Sequence, residues 1–235
     1  QLVVREDSRV TYLPEYLDSY SFALVFAKDQ AGQALRDQFD AFLDQLPDGT
    51  LDALAAKWFG EDEEAKTMPD IAALPTENGV LRLATESGYA PFEYVRDGQV
   101  VGYDMELAAL FCQAAGYGLE IVDMNFDGIL PTVQAGKVDF AAAGITVTEE
   151  RKESVNFSAP YYIGGTLMAV LKNNNSTVAG GDFRPEITDF SELSGKTISM
   201  LTGAPFEELI SSKVSDVKEF TYYQTMPGMG LGIKS

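Results

Sequence analysis

Short apolar segments with strand character alternate with helical segments along this chain, and this alternation constrains its fold more than any other feature. Strands are predicted at 80–85, 119–122 and 138–143, and helices are predicted between them at 104–115 and 127–135. This order favours α/β sheets in which right-handed crossovers join the strands. Ligands of such sheets bind beyond the carboxyl ends of the strands, so a site is expected in the segments that follow strands.

The same pattern continues on both sides of this region. Residues 61–77 interrupt it and are predicted to be a linker, because they begin with a run of acids, contain prolines and show no periodicity. In the 104–115 helix, Asp104 is the predicted N-cap and Gly116 marks the predicted end. The further predicted elements are strands at 10–14, 20–27, 161–171, 196–201 and 219–223, helices at 35–46, 51–58, after Thr148 and at 205–211, and a loop at 172–189.

The composition narrows the possible functions. The 235 residues include 36 acidic and 17 basic side chains, and this net charge of −19 argues against nucleic acid as a partner. The sequence has no histidine and a single cysteine, Cys112, which removes Ser-His-Asp and Cys-His catalysis and argues against a zinc site. We therefore predict no catalytic residue, no metal and no cofactor. The acidity has two open interpretations, solubility alone or attraction of cationic solutes.

The sequence contains no candidate for a membrane span. No run of 18 apolar residues is present. The first residues also lack the basic, apolar and small-residue order of a signal peptide. If the protein is exported, its signal has been removed or lies outside this sequence.

Five short motifs follow the predicted strands or open the predicted helices. They are Thr85–Glu93, Val101–Asp104, Phe126–Pro131, Ala143–Arg151 and Phe157–Tyr162. In this order and spacing they resemble lobe one of the periplasmic polar-amino-acid-binding proteins, the glutamine- and arginine-binding type within family 3 of the bacterial extracellular solute-binding proteins. The resemblance implies a type II periplasmic-binding-protein fold, in which a two-stranded hinge joins two doubly wound α/β lobes.

The two ends of the chain resemble the same family in a rearranged order. Residues 193–204 resemble the start of lobe two, whereas residues 1–60 resemble the end of a family member. A short segment of the family that contains an aspartate has no counterpart here. The order indicates a piece cut across two tandem units, or an engineered circular permutation. The predicted domains are the C-terminal part of one unit at 1–60, the linker at 61–77, lobe one of the next unit at 78–166, and a hinge strand with the start of lobe two at 167–235.

The resemblance implies how a free amino acid would be held at its charged end. Arg151 would bind the carboxylate through its guanidinium group, and backbone amides near Thr202 and Ala204 would add hydrogen bonds. The carbonyl of Gly144 and the hydroxyl of Thr146 would face the ammonium group. An arginine on the surface, paired with acids of its own helix, is the alternative interpretation of Arg151.

The resemblance also implies which residues contact the ligand side chain. Tyr89 and Phe126 would enclose its aliphatic or cationic part, and Glu86 would face a cation or an amide at its far end. The alternatives are ordinary core packing for the two aromatic residues and a solvated acid for Glu86.

The expected function is therefore reversible binding of a polar or basic amino acid outside the cytoplasm, in the periplasm or at the cell surface, free or tethered to the membrane. The expected partners are the amino acid and either an ABC permease or a membrane-tethered output domain. The two halves of the fold come from one chain or are exchanged between two chains in a swapped dimer. Two alternatives stay open: an enzyme on the same fold, dehydratase-like or lytic for cell walls, and a structural module without a ligand.

Overall fold

The computed structural model describes residues 10–171 and 187–232. The chain divides into two compact units. The first contains residues 1–20 and 164–235, as far as they are described, and the second contains residues 21–163. Both units combine helices with strands, so the predicted α/β class is confirmed. Within the described ranges no helix is long and apolar enough to cross a membrane.

Most predicted elements are present within a few residues of their expected bounds. The strands are β1 (Val10–Phe22), β2 (Val25–Phe26), β3 (Val80–Thr85), β4 (Gly88–Tyr89), β5 (Glu93–Arg96), β6 (Gln99–Val101), β7 (Gly118–Asp123), β8 (Phe140–Ala141), β9 (Asn156–Phe157), β10 (Tyr162–Leu171), β11 (Thr197–Leu201) and β12 (Glu219–Tyr223). The helices are α1 (Gln30–Gln45), α2 (Thr50–Phe59), α3 (Tyr103–Ala115), α4 (Phe126–Gln134), α5 (Glu149–Ser154), α6 (Glu207–Lys213) and α7 (Met226–Gly232). Short 3-10 helices lie at Ile71–Ala73 and Phe190–Leu193.

A mixed five-stranded sheet forms the centre of the second unit, with the strand order β7–β3–β8–β2–β9. β3 runs parallel to β7 and to β8, as expected for strands joined by helical crossovers. β2 lies antiparallel between β8 and β9, with Val25 opposite both Ala141 and Phe157. A strand from the early part of the chain therefore lies inside the sheet formed by the later part.

The apolar stripe of α1 packs on this sheet. The ring of Phe39, which is fully buried, lies 6.3 Å from that of Phe26 in β2 and 5.2 Å from that of Phe111 in α3. Burial of an aromatic ring of this size contributes about 2 kcal/mol. The helix begins where the Asp29 side chain accepts a hydrogen bond from the amide of Gly32 at 2.7 Å. The sequence periodicity thus identifies the face of α1 that enters the core.

The start of α3 differs from the prediction. Its N-cap is Gly102 and not Asp104. The φ angle of Gly102 is +142°, and a Cβ atom there would lie 2.1 Å from the carbonyl oxygen of Phe92, so the position requires glycine. The prediction of Asp104 as the N-cap is wrong because its carboxylate is fully buried and accepts the amide of Gly144. The predicted end at Gly116 is confirmed, since this residue caps α3 with a φ of +76°.

In the described part of the first unit, the strands form two two-stranded sheets. β1 pairs with β10, and β11 runs parallel to β12 with α6 between them in sequence. This strand–helix–strand order matches the prediction for this part of the chain. One core cluster of this unit contains the buried apolar side chains of Leu13, Leu17, Val170, Phe190, Leu193, Ile198, Met200, Ile210 and Val214.

The predicted separate strands at 10–14 and 20–27 are instead the long strand β1 and the short strand β2. Among the described strands, β1 and β10 form a two-stranded sheet in which each is an edge strand. An edge strand can place a proline and charged side chains on its open side. This is why Pro14 does not end the strand.

The predicted strand at 138–143 is regular only at Phe140–Ala141. The carboxylate of Asp139 accepts the amide of Arg82 at 2.7 Å, so a side chain replaces a backbone carbonyl next to the strand. Of the predicted loop at 172–189, residues 172–186 lie outside the described residues.

The predicted linker at 61–77 has no strand or α-helix, in agreement with its lack of periodicity. It is part of the second unit, and hydrogen bonds to its backbone join it to neighbouring segments of that unit. Lys57 donates to the carbonyl of Thr67 at 2.5 Å, and Arg96 donates to the carbonyl of Lys66. Its assignment as a boundary between two tandem units stays a prediction.

Candidate functional site

The predicted ligand residues are distributed over both units. Glu86, Tyr89, Phe126, Gly144, Thr146 and Arg151 belong to the second unit, and Thr202 and Ala204 belong to the first. The geometry of each group is therefore given within its own unit. Within the second unit, Arg151 contacts Thr146 and Phe126, and Gly144 packs against Tyr89.

Arg151 is the third residue of α5 and is only 8% exposed. Its backbone amide donates to the hydroxyl of the N-cap, Thr148, at 3.2 Å, so the cap sets the direction in which the side chain leaves the helix. The guanidinium group donates to the carbonyl of Thr146 at 2.8 Å and lies 5.6 Å from the ring centroid of Phe126. Arg151 is thus a buried cation held by the segment that precedes it.

The charge on Arg151 is retained at neutral pH. Burial lowers the pKa of its guanidinium group to about 10, and the nearby carboxylate of Glu150 acts in the opposite direction. A desolvated cation interacts more strongly with an anion than a solvated one does. An anionic ligand group that reached this side chain would raise its pKa again.

Residues 143–147, which we call the 143–147 loop, connect β8 to the start of α5. Gly144 has a φ of +51°, and a Cβ atom there would lie 2.6 Å from the ring of Tyr89. Thr146 forms an isolated β-bridge with Phe22, and the amide of Val147 donates to the carbonyl of Ser21 at 3.1 Å. The loop is therefore bonded to the end of β1 and packed against Tyr89.

The two predicted aromatic residues lie against different parts of this segment. Tyr89 packs on Gly144, and its ring stacks on that of Phe92 at 5.2 Å between centroids. Phe126 instead contacts the guanidinium group of Arg151. The sequence did not identify two further rings of this cluster, Phe22 and Tyr162, which stack on each other at 5.8 Å.

Glu86 follows the last residue of β3 and is 5% exposed, which does not fit the alternative of a solvated acid. Burial raises the pKa of its carboxyl group, the amide of Gly88 lowers it, and the charge of Asp123 raises it. Asp123 itself accepts the amide of Ser87 at 2.9 Å. Glu86 is thus a buried acid directly after a sheet strand, where ligands of α/β sheets bind.

The first-unit residues are engaged in a turn of their own. The amide of Thr202 donates to the carbonyl of Tyr223 at 2.8 Å, and the amide of Ala204 donates to that of Leu201 at 3.0 Å. The Thr202 hydroxyl also bonds to the Tyr223 carbonyl at 3.1 Å. The two amides that were predicted to reach a carboxylate therefore already have acceptors within their own unit.

Sequence reasoning missed a buried acidic cluster behind the 143–147 loop. One carboxylate oxygen of Asp104 accepts the amide of Gly144 at 2.9 Å and the hydroxyl of Tyr161 at 2.7 Å. Glu93, the first residue of β5, is fully buried beside Asp104. Both acids occur in the motifs singled out above, which was the available signal. The described part of the chain contains no group of three or more His, Cys, Asp or Glu residues suited to a metal ion.

Comparison with known sequences identifies one family. Residues 81–219 match the sequence model of the bacterial extracellular solute-binding proteins, family 3. A probable histidine-binding protein of Campylobacter jejuni is 33% identical over 123 residues, which are 52% of this chain and 44% of the relative. The arginine-binding extracellular protein ArtP of Bacillus subtilis is 33% identical over 128 residues, which are 54% and 46% of the two chains. The chain spans about half the length of these relatives.

Solved structures of amino-acid-binding proteins share the fold. An ancestral arginine-binding protein bound to glutamine has a TM-score of 0.55 and 29% identity, with 66% of this chain and 65% of that chain covered. The arginine-bound form of truncated ArgBP from T. maritima has a TM-score of 0.53 and 31% identity, with 67% and 69% covered. The mixed α/β sheets of this chain thus match those of type II periplasmic binding proteins.

Proposed function

This chain belongs to the bacterial extracellular solute-binding proteins of family 3, and from that premise we propose that it binds a free polar or basic amino acid reversibly. The observation that carries the proposal is the buried guanidinium group of Arg151, held by the Thr146 carbonyl at the start of a capped helix. The relatives named above are a probable histidine-binding protein and an arginine-binding protein, and one of the similar structures is an arginine-binding protein bound to glutamine. We propose binding and no catalysis.

Arg151 is proposed to bind the carboxylate group of the ligand. A guanidinium group can bind a carboxylate through two parallel hydrogen bonds, and each hydrogen bond to a charged group contributes about 1.5–3 kcal/mol. The backbone of the 143–147 loop lies next to this position, since Thr146 accepts from the same guanidinium group. The Gly144 carbonyl and Thr146 hydroxyl are proposed to face the ligand ammonium group.

The ligand side chain is proposed to contact Tyr89, Phe126 and Glu86. An aromatic face favours a cation or an aliphatic chain, and a buried carboxylate favours a cationic or amide end. Since a cationic partner would offset the burial of Glu86, a basic amino acid is the ligand class that this residue favours. A role of the backbone amides near Thr202 and Ala204 in ligand binding stays a prediction.

We further propose that this family member acts outside the cytoplasm, with either an ABC permease or a membrane-tethered output domain as its partner. The rearranged order of its segments is proposed to arise from tandem units or from circular permutation. Assembly within one chain is supported by β2, which lies in the same sheet as β3 and β8. A swapped dimer is the alternative, and the mass in solution by light scattering separates one chain from two.

Isothermal titration calorimetry with the free protein amino acids tests the proposed function. We expect saturable binding of one or a few polar or basic amino acids, and R151A should weaken it about ten- to hundredfold. K152A is the matched control, because Lys152 lies on the same helix but is exposed and pairs with Glu149. Absence of binding by the unaltered protein, or equal affinities of R151A and K152A, would contradict the proposal.

A further inference from the structure

We propose that Glu93 and Asp104 share one proton in the interior of the second unit, and that this pair positions the 143–147 loop through the amide of Gly144. The inference rests on the proposed function, because the loop is part of the proposed amino-acid site. Neither acid was assigned a part in ligand contact. Both would act on the ligand only through the loop, as positioning residues.

Asp104 provides the connection to the loop. It lies in the first turn of α3, is fully buried, and uses one carboxylate oxygen to accept both the Gly144 amide at 2.9 Å and the Tyr161 hydroxyl at 2.7 Å. Two donors on one oxygen stabilise the ionised form of a carboxyl group. Asp104 is therefore the anionic member of the pair, and its charge holds the Gly144 amide in place.

Glu93 provides the proton. Both of its carboxyl oxygens and the second oxygen of Asp104 are buried, and no donor for them is present among the described residues if both acids are ionised. Buried acceptors without a donor are destabilising, and a carboxylate offers acceptors only. A proton on Glu93 makes its carboxyl group a hydrogen-bond donor to Asp104, so that the buried oxygens of the pair no longer all lack a donor.

The electrostatic surroundings favour the same assignment. Burial and the charge of Asp104 raise the pKa of Glu93 well above its ordinary value, and the charge of Glu86 raises it further. Burial also raises the pKa of Asp104, but hydrogen bonds from Gly144, Tyr161 and Glu93 oppose this increase.

The remaining groups around the pair are phenols. The hydroxyl of Tyr161 donates to Asp104, and that of Tyr103 donates to the backbone carbonyl of Tyr161 at 3.2 Å. Burial raises the pKa of both tyrosines, and the charge of Asp104 raises them further. Asp52 adds negative charge near Tyr103. Since the named neighbours are acids or neutral phenols, the proton of Glu93 is the group that offsets charge within the cluster.

Loss of this proton would alter the loop. Two adjacent anions repel each other in a medium of low dielectric constant, so the pair would separate or admit water. Asp104 would then no longer fix the Gly144 amide, although the bridge between Thr146 and Phe22 would remain. Because the Thr146 carbonyl accepts a hydrogen bond from Arg151, a shift of the loop would also move the proposed carboxylate-binding group.

The test compares E93Q, D104N and E106Q with the unaltered protein. Glutamine reproduces a permanently protonated Glu93, whereas D104N removes the anionic acceptor. E106Q is the matched control, because Glu106 is a buried acid of the same helix but bonds to Lys57 and Trp58 instead of the loop. The measurements are calorimetric affinity for L-arginine between pH 6 and 9.5, and hydrogen exchange of the Gly144 amide by NMR without ligand.

We expect E93Q to bind L-arginine within about twofold of the unaltered protein at pH 6 and to lose less affinity than that protein as the pH rises. Titration of the ligand and of Arg151 is common to both proteins, so the difference between their pH profiles reports on Glu93. D104N should bind about tenfold more weakly or worse, and its Gly144 amide should exchange at least tenfold faster after correction for the intrinsic rate. E106Q should leave the Gly144 exchange unchanged.

The shared proton would be overturned if E93Q left unchanged both the pH profile of binding and the fall of the unfolding free energy above about pH 4.5. Unchanged Gly144 exchange in D104N would overturn the positioning role. If D104N does not fold, Y161F removes one donor from the same oxygen and is subjected to the same exchange measurement. If the unaltered protein binds no amino acid, the proposed function fails, but the exchange data on the unliganded protein still decide whether the pair holds the loop.

Discussion

Replacement of Gly144 by alanine is the most direct test of the close packing at the 143–147 loop. The φ of +51° places this residue in the left-handed region, where a Cβ atom costs about 1–2 kcal/mol. The same Cβ would lie 2.6 Å from Cε1 of Tyr89 and 3.2 Å from the ring of Phe22. Overpacking of this kind costs about 1–3 kcal/mol. G144A should therefore lower the free energy of unfolding by about 2–5 kcal/mol in urea titrations.

Gly136 supplies a control with the same backbone requirement but no close neighbour. Its φ is +63°, and a Cβ atom there would have nothing within 4 Å. G136A should lose only the backbone contribution, so the difference between G144A and G136A measures the contact with the two rings. Adding Y89A to G144A should recover part of that difference. Equal losses in G144A and G136A would refute the argument that the Tyr89 ring restricts this position.

Four further outcomes follow from the buried charges. R151K should bind its ligand at least about tenfold more weakly than the unaltered protein, because an ammonium group cannot make two parallel hydrogen bonds to a carboxylate; calorimetry measures this. E86Q should weaken L-arginine more than L-glutamine, and equal losses would contradict a cation-directed role for Glu86. The folded protein retains a proton on Glu93 that the unfolded chain releases, so the free energy of unfolding should fall as the pH rises from 4.5 towards the raised pKa, and E93Q should reduce this slope in urea titrations. K57M should destabilise the fold by about 1–3 kcal/mol, because the buried Glu106 carboxylate would lose its cation and keep only the Trp58 indole among its described partners; thermal unfolding measures this.

The elements that the sequence predicts well are those whose pattern is local. The stripe through Leu35 and Phe39 identifies both α1 and its buried face, and the bounds of β3 agree with the prediction to the residue. Thr148 is followed by two acids, a pattern typical of a helix start, and its hydroxyl accepts the Arg151 amide as the N-cap of α5. In each case the residues that decide the structure lie within one or two turns of each other.

The parts that could not be predicted depend on distant partners. Asp104 has the residue type and the position expected of an N-cap. Its carboxylate instead accepts the amide of Gly144, which lies 40 positions away in the sequence. The predicted strand at 10–14 is too short, because pairing with the distant strand β10 accompanies a β1 that continues to Phe22. The aromatic pair Phe22 and Tyr162 likewise joins distant segments, and no local pattern distinguishes these rings from ordinary core residues.

The contacts around the 143–147 loop show how the proposed binding site could be built on an irregular segment. A loop that must be ordered by its ligand loses affinity, because its conformational entropy is lost on binding. Here Asp104 holds the Gly144 amide, the end of β1 pairs with Thr146, and Thr146 holds Arg151. These contacts come from three separate parts of the chain and fix the backbone before any ligand arrives. The loop is therefore already ordered by folding, and ligand binding does not have to order it. The affinity of the proposed site should consequently depend on buried residues that do not contact the ligand.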